Sequence, residues 1–277
     1  MANIILAKTS GFCMGVKRAM QIALDTAKNT DSKVYTCGPL IHNPQAIEYL
    51  MENGVETILD WHQIEEGTVI IRAHGMPYKS IKEIESKGLK TVDATCPHVK
   101  TSQNQIKKYS DLGYFIYIVG DKDHPEILSL QSFAKEFEVL NSIEAAKTVS
   151  HKDKIMVISQ TTFNADEYKE ISEILKKEAN ETVVCKSICQ ATFLRQKEIK
   201  ELAAEADAVV IVGGKSSANT KRLAQIASEI CKNTVHIETE DELNKEDFVN
   251  CQTIAVSAGA STPDFITDKV IEFLKSI

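Results

Sequence analysis

The chain has 277 residues, 43% of them apolar and 26% charged, and a formal net charge of −7. That length accommodates two or three α/β units with real cores, and the acidic balance leaves no basic excess to neutralise nucleic-acid phosphates. No apolar run approaches the ~18 residues of a bilayer span, and seven cysteines do not make the even, closely spaced set of a secreted disulfide framework.

The first segment, Met1-Ala-Asn-Ile-Ile-Leu-Ala-Lys8, has the pattern of a strand and not of a signal peptide, so a cytoplasmic protein is expected. A strand over Ile4–Ala7 leads to Gly11-Phe-Cys13-Met-Gly-Val16-Lys17 and a helix over Val16–Lys28. The strand predicted over Val34–Cys37 ends on Gly38-Pro-Leu-Ile-His42-Asn43. Those over Val69–Arg72 and Thr91–Asp93 end on Arg72-Ala-His74-Gly75 and Asp93-Ala-Thr-Cys96-Pro97, before a helix over Ser102–Tyr109. Phe115–Val119 runs into Gly120-Asp-Lys-Asp-His124-Pro-Glu126. Met156–Ser159 runs into Gln160-Thr161-Thr162 and a helix over Ala165–Lys177. A strand over Val183–Cys185 precedes Cys189-Gln-Ala-Thr192 and a helix over Phe193–Ala206. Val209–Val212 ends on Gly213-Gly-Lys-Ser-Ser217-Ala-Asn219, with a helix over Thr220–Lys232, and Ile254–Ser257 ends on Ser257-Ala-Gly-Ala-Ser261-Thr262. This alternation predicts an α/β fold with mostly parallel sheets, whose ligands sit beyond the carboxyl ends of the strands.

The strand ends repeat. Cys13, Cys96 and Cys189 each lie past a strand and before a helix, 83 and 93 residues apart. His42, His124 and Ser217 follow them by 29, 28 and 28 residues. Three pseudo-symmetric domains are therefore expected, with limits 14–96, 97–189 and 190–277 plus 1–13. If they meet about one axis, the strand ends face a common cavity.

Three thiols at helix starts are favoured as thiolates by the N-terminal dipole. Structural zinc draws its ligands from short spacings such as C-x2-C, which this chain lacks. An iron–sulfur cluster accepts widely separated cysteines, and with three of them one iron stays open to substrate. Cys37, Cys231 and Cys251 have no matched partners and Cys185 lies within a strand, so these four are expected as core residues. His42, His74, His124, Thr161, Ser217, Asn219 and Ser261 suit an oxyanion such as phosphate, although Ser217 and Asn219 serve equally well as helix caps. Glu126 is the candidate proton donor; its alternative is a solvated glutamate at a helix start. Gly214-Lys-Ser216 lacks the first glycine of a P-loop and no G-x-G-x-x-G follows a strand, so electrons for redox chemistry must come from another protein.

Taken together, Gly11-Phe-Cys13, Arg72-Ala-His-Gly75, Asp93-Ala-Thr-Cys-Pro97, His124-Pro-Glu126, Gln160-Thr-Thr162 and Ser257-Ala-Gly-Ala-Ser261 resemble the 4-hydroxy-3-methylbut-2-enyl diphosphate reductase family over the whole chain. The resemblance implies a trefoil of three domains around one [4Fe–4S] cluster per chain, held by Cys13, Cys96 and Cys189. It implies that His42, His74, Ser217, Asn219 and Ser261 hold the substrate diphosphate, with His124 near it and the proton path. Thr161 would orient the allylic hydroxyl, Glu126 would relay protons, and Thr192 would stand behind them. The implied reaction takes two electrons, supplied by a ferredoxin or flavodoxin type of protein, and loses water to give isopentenyl or dimethylallyl diphosphate. Ala218 departs from the family pattern, in which many relatives have a second serine. A non-redox hydro-lyase would want arginines for carboxylates, and the strand ends offer only Arg72. A non-catalytic iron–sulfur sensor would want an effector surface or a basic helix, which is not visible.

Overall fold

The computed structural model describes residues 2–277; Met1, the first residue of the expected 1–13 segment, lies outside them. In chain order the elements begin β1 (Asn3–Leu6), α1 (Met14–Lys28), β2 (Val34–Cys37), α2 (Pro44–Glu52), β3 (Val55–Ile58), β4 (Thr68–Ile71), α3 (Tyr78–Ser86) and β5 (Lys90–Asp93). They continue with α4 (Pro97–Asp111), β6 (Phe115–Val119), α5 (Pro125–Gln131), β7 (Phe137–Leu140), α6 (Ile143–Ala146), β8 (Lys152–Ser159), α7 (Ala165–Leu175) and β9 (Ala179–Val184). The last are α8 (Gln190–Glu205), β10 (Ala208–Val212), α9 (Ala218–Ile230), β11 (Thr234–Ile237), β12 (Thr253–Ala258) and α10 (Asp264–Lys275).

The strands form three four-stranded parallel sheets, ordered β3-β2-β4-β5, β7-β6-β8-β9 and β11-β10-β12-β1. Counted from the helix after each cysteine, every sheet has the order second, first, third, fourth. The N-terminal strand β1 pairs with β12 and so supplies the fourth strand of the last repeat. In this order the chain reverses direction between the first and third strands, which opens a crevice past their carboxyl ends. Those ends carry the candidate residues.

Two compact units contain these sheets. One comprises Met1–Lys17, Ile41–Tyr49 and Gln190–Ile277, the other Arg18–Leu40 and Leu50–Cys189. In the first, alternate residues of β10 bury opposite ways: Val210 and Val212 pack with Ile254, Val256 and the α10 residues Ile266 and Val270. Val209 and Ile211 pack with Ile199 of α8 and Leu223 of α9. In the second, Tyr117 and Val119 of β6 meet Ile171 and Leu175 of α7, while Ile116 and Ile118 meet Ile106 of α4 and Ile127 of α5. The period of two is that of a strand buried on both faces, and each such side chain contributes roughly 1.5–3 kcal/mol of burial.

Two helices start where a candidate residue is followed by proline, Cys96-Pro97 and His124-Pro125, and a third starts at Asn43-Pro44, directly after His42. Proline fits the first helical turn because its missing N–H would be unpaired there anyway, and its φ is already helical. The residue before it is driven to extended backbone, which points the cap residue away from the helix body.

Candidate active site

The three matched cysteines end the loops that leave β1, β5 and β9, each one residue before a helix. Their backbone amides make the same hydrogen bond. Cys13 N–H donates to Ala260 O at 3.0 Å, Cys96 N–H to Ala73 O at 2.9 Å and Cys189 N–H to Thr161 O at 3.1 Å. Each acceptor is the second residue past the end of the neighbouring third strand, β12, β4 or β8. In every repeat the thiol loop is thus stitched to the loop bearing Ser261, His74 or Thr161. All three cysteines are half-buried, and all seven are free thiols.

Of the other four, Cys37 and Cys231 are buried as expected, whereas Cys185 and Cys251 are half-buried at the margin of their apolar clusters. Burial pushes the Cys185 thiol up to about 11 and holds Cys37 above its ordinary value as well. Cys231 Sγ donates to the carbonyls of Ala206, Asp207 and Asn233 at 3.6–3.7 Å, and Cys251 Sγ donates to Asp247 O at 3.8 Å. At Cys37 and Cys185 that burial disfavours the thiolate, the form in which sulfur ligates a metal.

The unit holding β2 to β9 carries the acid. Glu126 is 1% exposed, so it is not a solvated residue at a helix start. Thr161 N–H donates to its Oε1 at 2.7 Å, and Thr161 Oγ1 donates to its Oε2 at 2.9 Å. Burial raises the carboxyl to about 7, and the two Thr161 bonds oppose that rise without cancelling it. His124 turns out to be a helix cap, which His-Pro-Glu does not suggest on its face. Its Nδ1 accepts from Glu126 N–H at 3.1 Å, so the neutral ring carries its proton on Nε2. The His74 ring lies edge-on to His124 at 5.4 Å between centroids. Gly75 holds φ +78°, and a Cβ there would sit 2.6 Å from Ser129 Oγ and 2.7 Å from Gln103 Nε2. The Arg72-Ala-His-Gly75 turn therefore tolerates no side chain at its last position.

In the other unit, Ser217 is the N-cap of α9, its Oγ accepting from Thr220 N–H at 3.3 Å. A hydroxyl that accepts in this way still has its O–H to donate, so capping and anion binding are compatible. Asn219 does not cap the helix. It is 5% exposed, and neither its Oδ1 nor its Nδ2 has a hydrogen-bond partner among the described residues. A buried amide left open at both ends costs about 1–3 kcal/mol unless a ligand completes it. Ser261 Oγ donates to His42 O at 3.2 Å, and a Cβ on Gly214 would lie 2.5 Å from the same carbonyl. His42, Ser261 and the Gly213-Gly214 turn are thereby brought together. Lys215 points elsewhere, its Nζ paired with Glu242 and its N–H donating to Glu238 Oε1 at 2.6 Å. Thr192 is buried in the first turn of α8.

Some residues that fix this geometry have no signal of their own in the sequence. Ser187 Oγ accepts from Ser159 N–H at 2.7 Å, bracing the loop before Cys189. Gln160 Oε1 accepts from Asp121 N–H at 3.3 Å, while its Nε2 donates to Thr162 Oγ1 at 2.9 Å.

The LytB protein family matches residues 4–275 of the chain. The 4-hydroxy-3-methylbut-2-enyl diphosphate reductase of Geotalea uraniireducens is 42% identical over 277 residues, covering 99% of this chain and 98% of its own. The enzyme of the same name from Aquifex aeolicus is 40% identical over 281 residues, covering 100% and 97%. A solved structure of (E)-4-hydroxy-3-methyl-but-2-enyl diphosphate reductase, the terminal enzyme of the non-mevalonate pathway, is 40% identical with a TM-score of 0.72 and covers 100% of both chains. The E-1-hydroxy-2-methyl-but-2-enyl-4-diphosphate reductase of Plasmodium falciparum is 26% identical with a TM-score of 0.93, covering 99% of this chain and 88% of its own.

Proposed function

The chain belongs to the LytB protein family, and we propose that it reduces (E)-4-hydroxy-3-methylbut-2-enyl diphosphate to isopentenyl and dimethylallyl diphosphates. The allylic alcohol takes up two electrons and two protons, the C–O bond breaks, water leaves, and a C–H bond forms. The observation that carries the reading to this chain's own residues is the amide hydrogen bond shared by Cys13, Cys96 and Cys189. Three soft, half-buried thiols, far apart in sequence and held alike, fit a [4Fe–4S] cluster better than a closed zinc tetrahedron. Such a cluster supplies the electrons and a Lewis-acidic iron.

The protein's own residues do the rest. His42, His74, Ser217, Asn219 and Ser261 bind the diphosphate, and the open Asn219 amide supports that assignment most directly. In this reading His124 serves near the diphosphate and the proton path. Held near pKa 7, Glu126 is protonated in a useful fraction of molecules at neutral pH. Protonated on Oε2, the acid reverses the 2.9 Å bond to Thr161 and donates to its Oγ1, and Thr161 hands its own proton to the departing hydroxyl. Fixing the diphosphate at one end and the hydroxyl at the other holds the carbon chain between them, which is catalysis by positioning.

The domain limits 14–96, 97–189 and 190–277 with 1–13 go with this reading, one parallel sheet to each. So does a ferredoxin or flavodoxin type of electron donor, since no dinucleotide fingerprint is present in the sequence. Among the described residues no helix is long and apolar enough to cross a membrane, and the seven free thiols support work in the cytoplasm. Iron and sulfide counts on anaerobically prepared single Cys→Ser variants test the ligand set. Replacements at Cys13, Cys96 and Cys189 should lose the cluster, and those at Cys37, Cys185, Cys231 and Cys251 should keep it. Full iron content in Cys96→Ser would overturn the assignment.

A further inference from the structure

The loop that delivers Cys13 is the longest of the three. Cys13 lies seven residues past the end of β1, where Cys96 lies three past β5 and Cys189 five past β9. A longer tether holds its end less firmly unless something else pins it. Two charged side chains of α8 do so. Glu198 Oε1 accepts from Lys8 N–H at 2.7 Å, and its Oε2 accepts from Thr9 N–H at 2.9 Å and from Thr9 Oγ1 at 2.5 Å. One turn earlier, Arg195 Nη2 donates to Gly11 O at 2.7 Å, and its Nη1 donates to Ala191 O at 3.1 Å.

Arg195 is 5% exposed and shares the inner face of α8 with Ile199 and Ala203. A buried guanidinium is costly, and an aliphatic residue would complete that apolar face at less expense. What the charge supplies there is a hold on the carbonyl two residues before Cys13. The Glu198 carboxylate, kept below the usual range by its three donors in spite of partial burial, holds the other end of the same loop.

We propose that Glu198 and Arg195 are positioning residues for the Cys13 thiol, acting from α8 through the backbone of residues 8–11. They touch no substrate; they hold the loop so that the sulfur stays at its station. The inference rests on the reading of Cys13 as a cluster ligand, and its test separates the two.

Cluster-loaded full-length protein, wild type and Glu198→Gln, is treated anaerobically with iodoacetamide, and labelling of each cysteine is followed by peptide mass spectrometry. Release of iron to a chelator is timed in parallel. Glutamine keeps one carbonyl oxygen but turns an N–H2 towards a donor. Initial labelling of Cys13 should therefore rise about tenfold, the loss of one charge-assisted hydrogen bond. Cys96 and Cys189 should lag behind it, and iron should leave faster. A general loss of stability would raise all three together, and that result, or an unchanged Cys13 rate, overturns the proposal. If Glu198→Gln does not fold, Thr9→Val, which removes only the hydroxyl donor, decides by the same ratio. A wild-type Cys13 that labels as fast with the cluster as without it would instead overturn the ligand reading.

Discussion

Glu126 is a carboxyl whose two oxygens are both occupied by one threonine, in a site dry enough to lift its pKa to about 7. Glu126→Gln keeps the shape and the Thr161 contacts in part but has no proton to give. The variant should load its cluster and bind substrate, and its kcat should fall by about 10²–10⁴. Near-normal turnover would send the proton through another group. The same carboxyl sets a pH dependence. Below pH 4.5, the ordinary value, it is protonated folded and unfolded, and contributes no slope. Between 4.5 and about 7 the unfolded chain ionises while the folded one resists, so stability falls with rising pH by about 3 kcal/mol across that window. Denaturant titrations at several pH values should show this decline in wild type and lose it in Glu126→Gln. For Asn219, replacement by alanine removes an amide that no described residue completes. KM should rise roughly ten- to a hundredfold while the melting temperature holds or increases. An unchanged KM, or a clear loss of stability, would make the residue structural.

The turn after β4 is the element most sensitive to a single methyl group. Gly75→Ala must accommodate a positive φ and contacts of 2.6 and 2.7 Å to Ser129 and Gln103, which are themselves hydrogen-bonded at 2.9 Å. A loss of at least about 1–2 kcal/mol is expected from the backbone alone, read as a lower denaturation midpoint. His74 would shift with it, so KM should rise as well. The elements themselves were unevenly legible. All nine strands expected from the sequence are present; in β2, β4 and β10, buried on both faces, the apolar residues run together, while the half-exposed edge strands β1, β5 and β9 still carry enough Val and Ile to be seen. β3, β7 and β11 were not foreseen. Each is a four-residue strand at a sheet edge, and Val-Glu-Thr-Ile, Phe-Glu-Val-Leu and Thr-Val-His-Ile carry a polar residue where a buried strand would not. Short helices such as α5 and α6 also escape, being too brief for a 3.6-residue period to declare itself. At the site, the spacing of the cysteines and the strand-end residues could be read directly. The burial of Glu126 and the hold of α8 on residues 8–11 could not, since both depend on side chains distant in sequence; the His124 cap is local, two residues from the amide it accepts from, but histidine is not one of the residue types that announce a cap.

Across the whole molecule, three copies of one sheet order turn a threefold pattern in the sequence into three equivalent strand-end sites. The net charge of −7 and the pairing of Lys215 with Glu242 leave the proposed diphosphate site to histidines, hydroxyls and one amide. Substrate affinity should accordingly weaken only modestly with added salt, since mobile surface cations contribute little. A steep decline of 1/KM between 50 and 300 mM salt would point to unpaired lysines instead. The reaction itself is measured by anaerobic turnover of the purified, iron-loaded chain with a chemical one-electron reductant. (E)-4-hydroxy-3-methylbut-2-enyl diphosphate should disappear with two electrons consumed per molecule, and isopentenyl and dimethylallyl diphosphates should account for it. A fully loaded protein that binds this substrate and leaves it unreduced would not be this reductase.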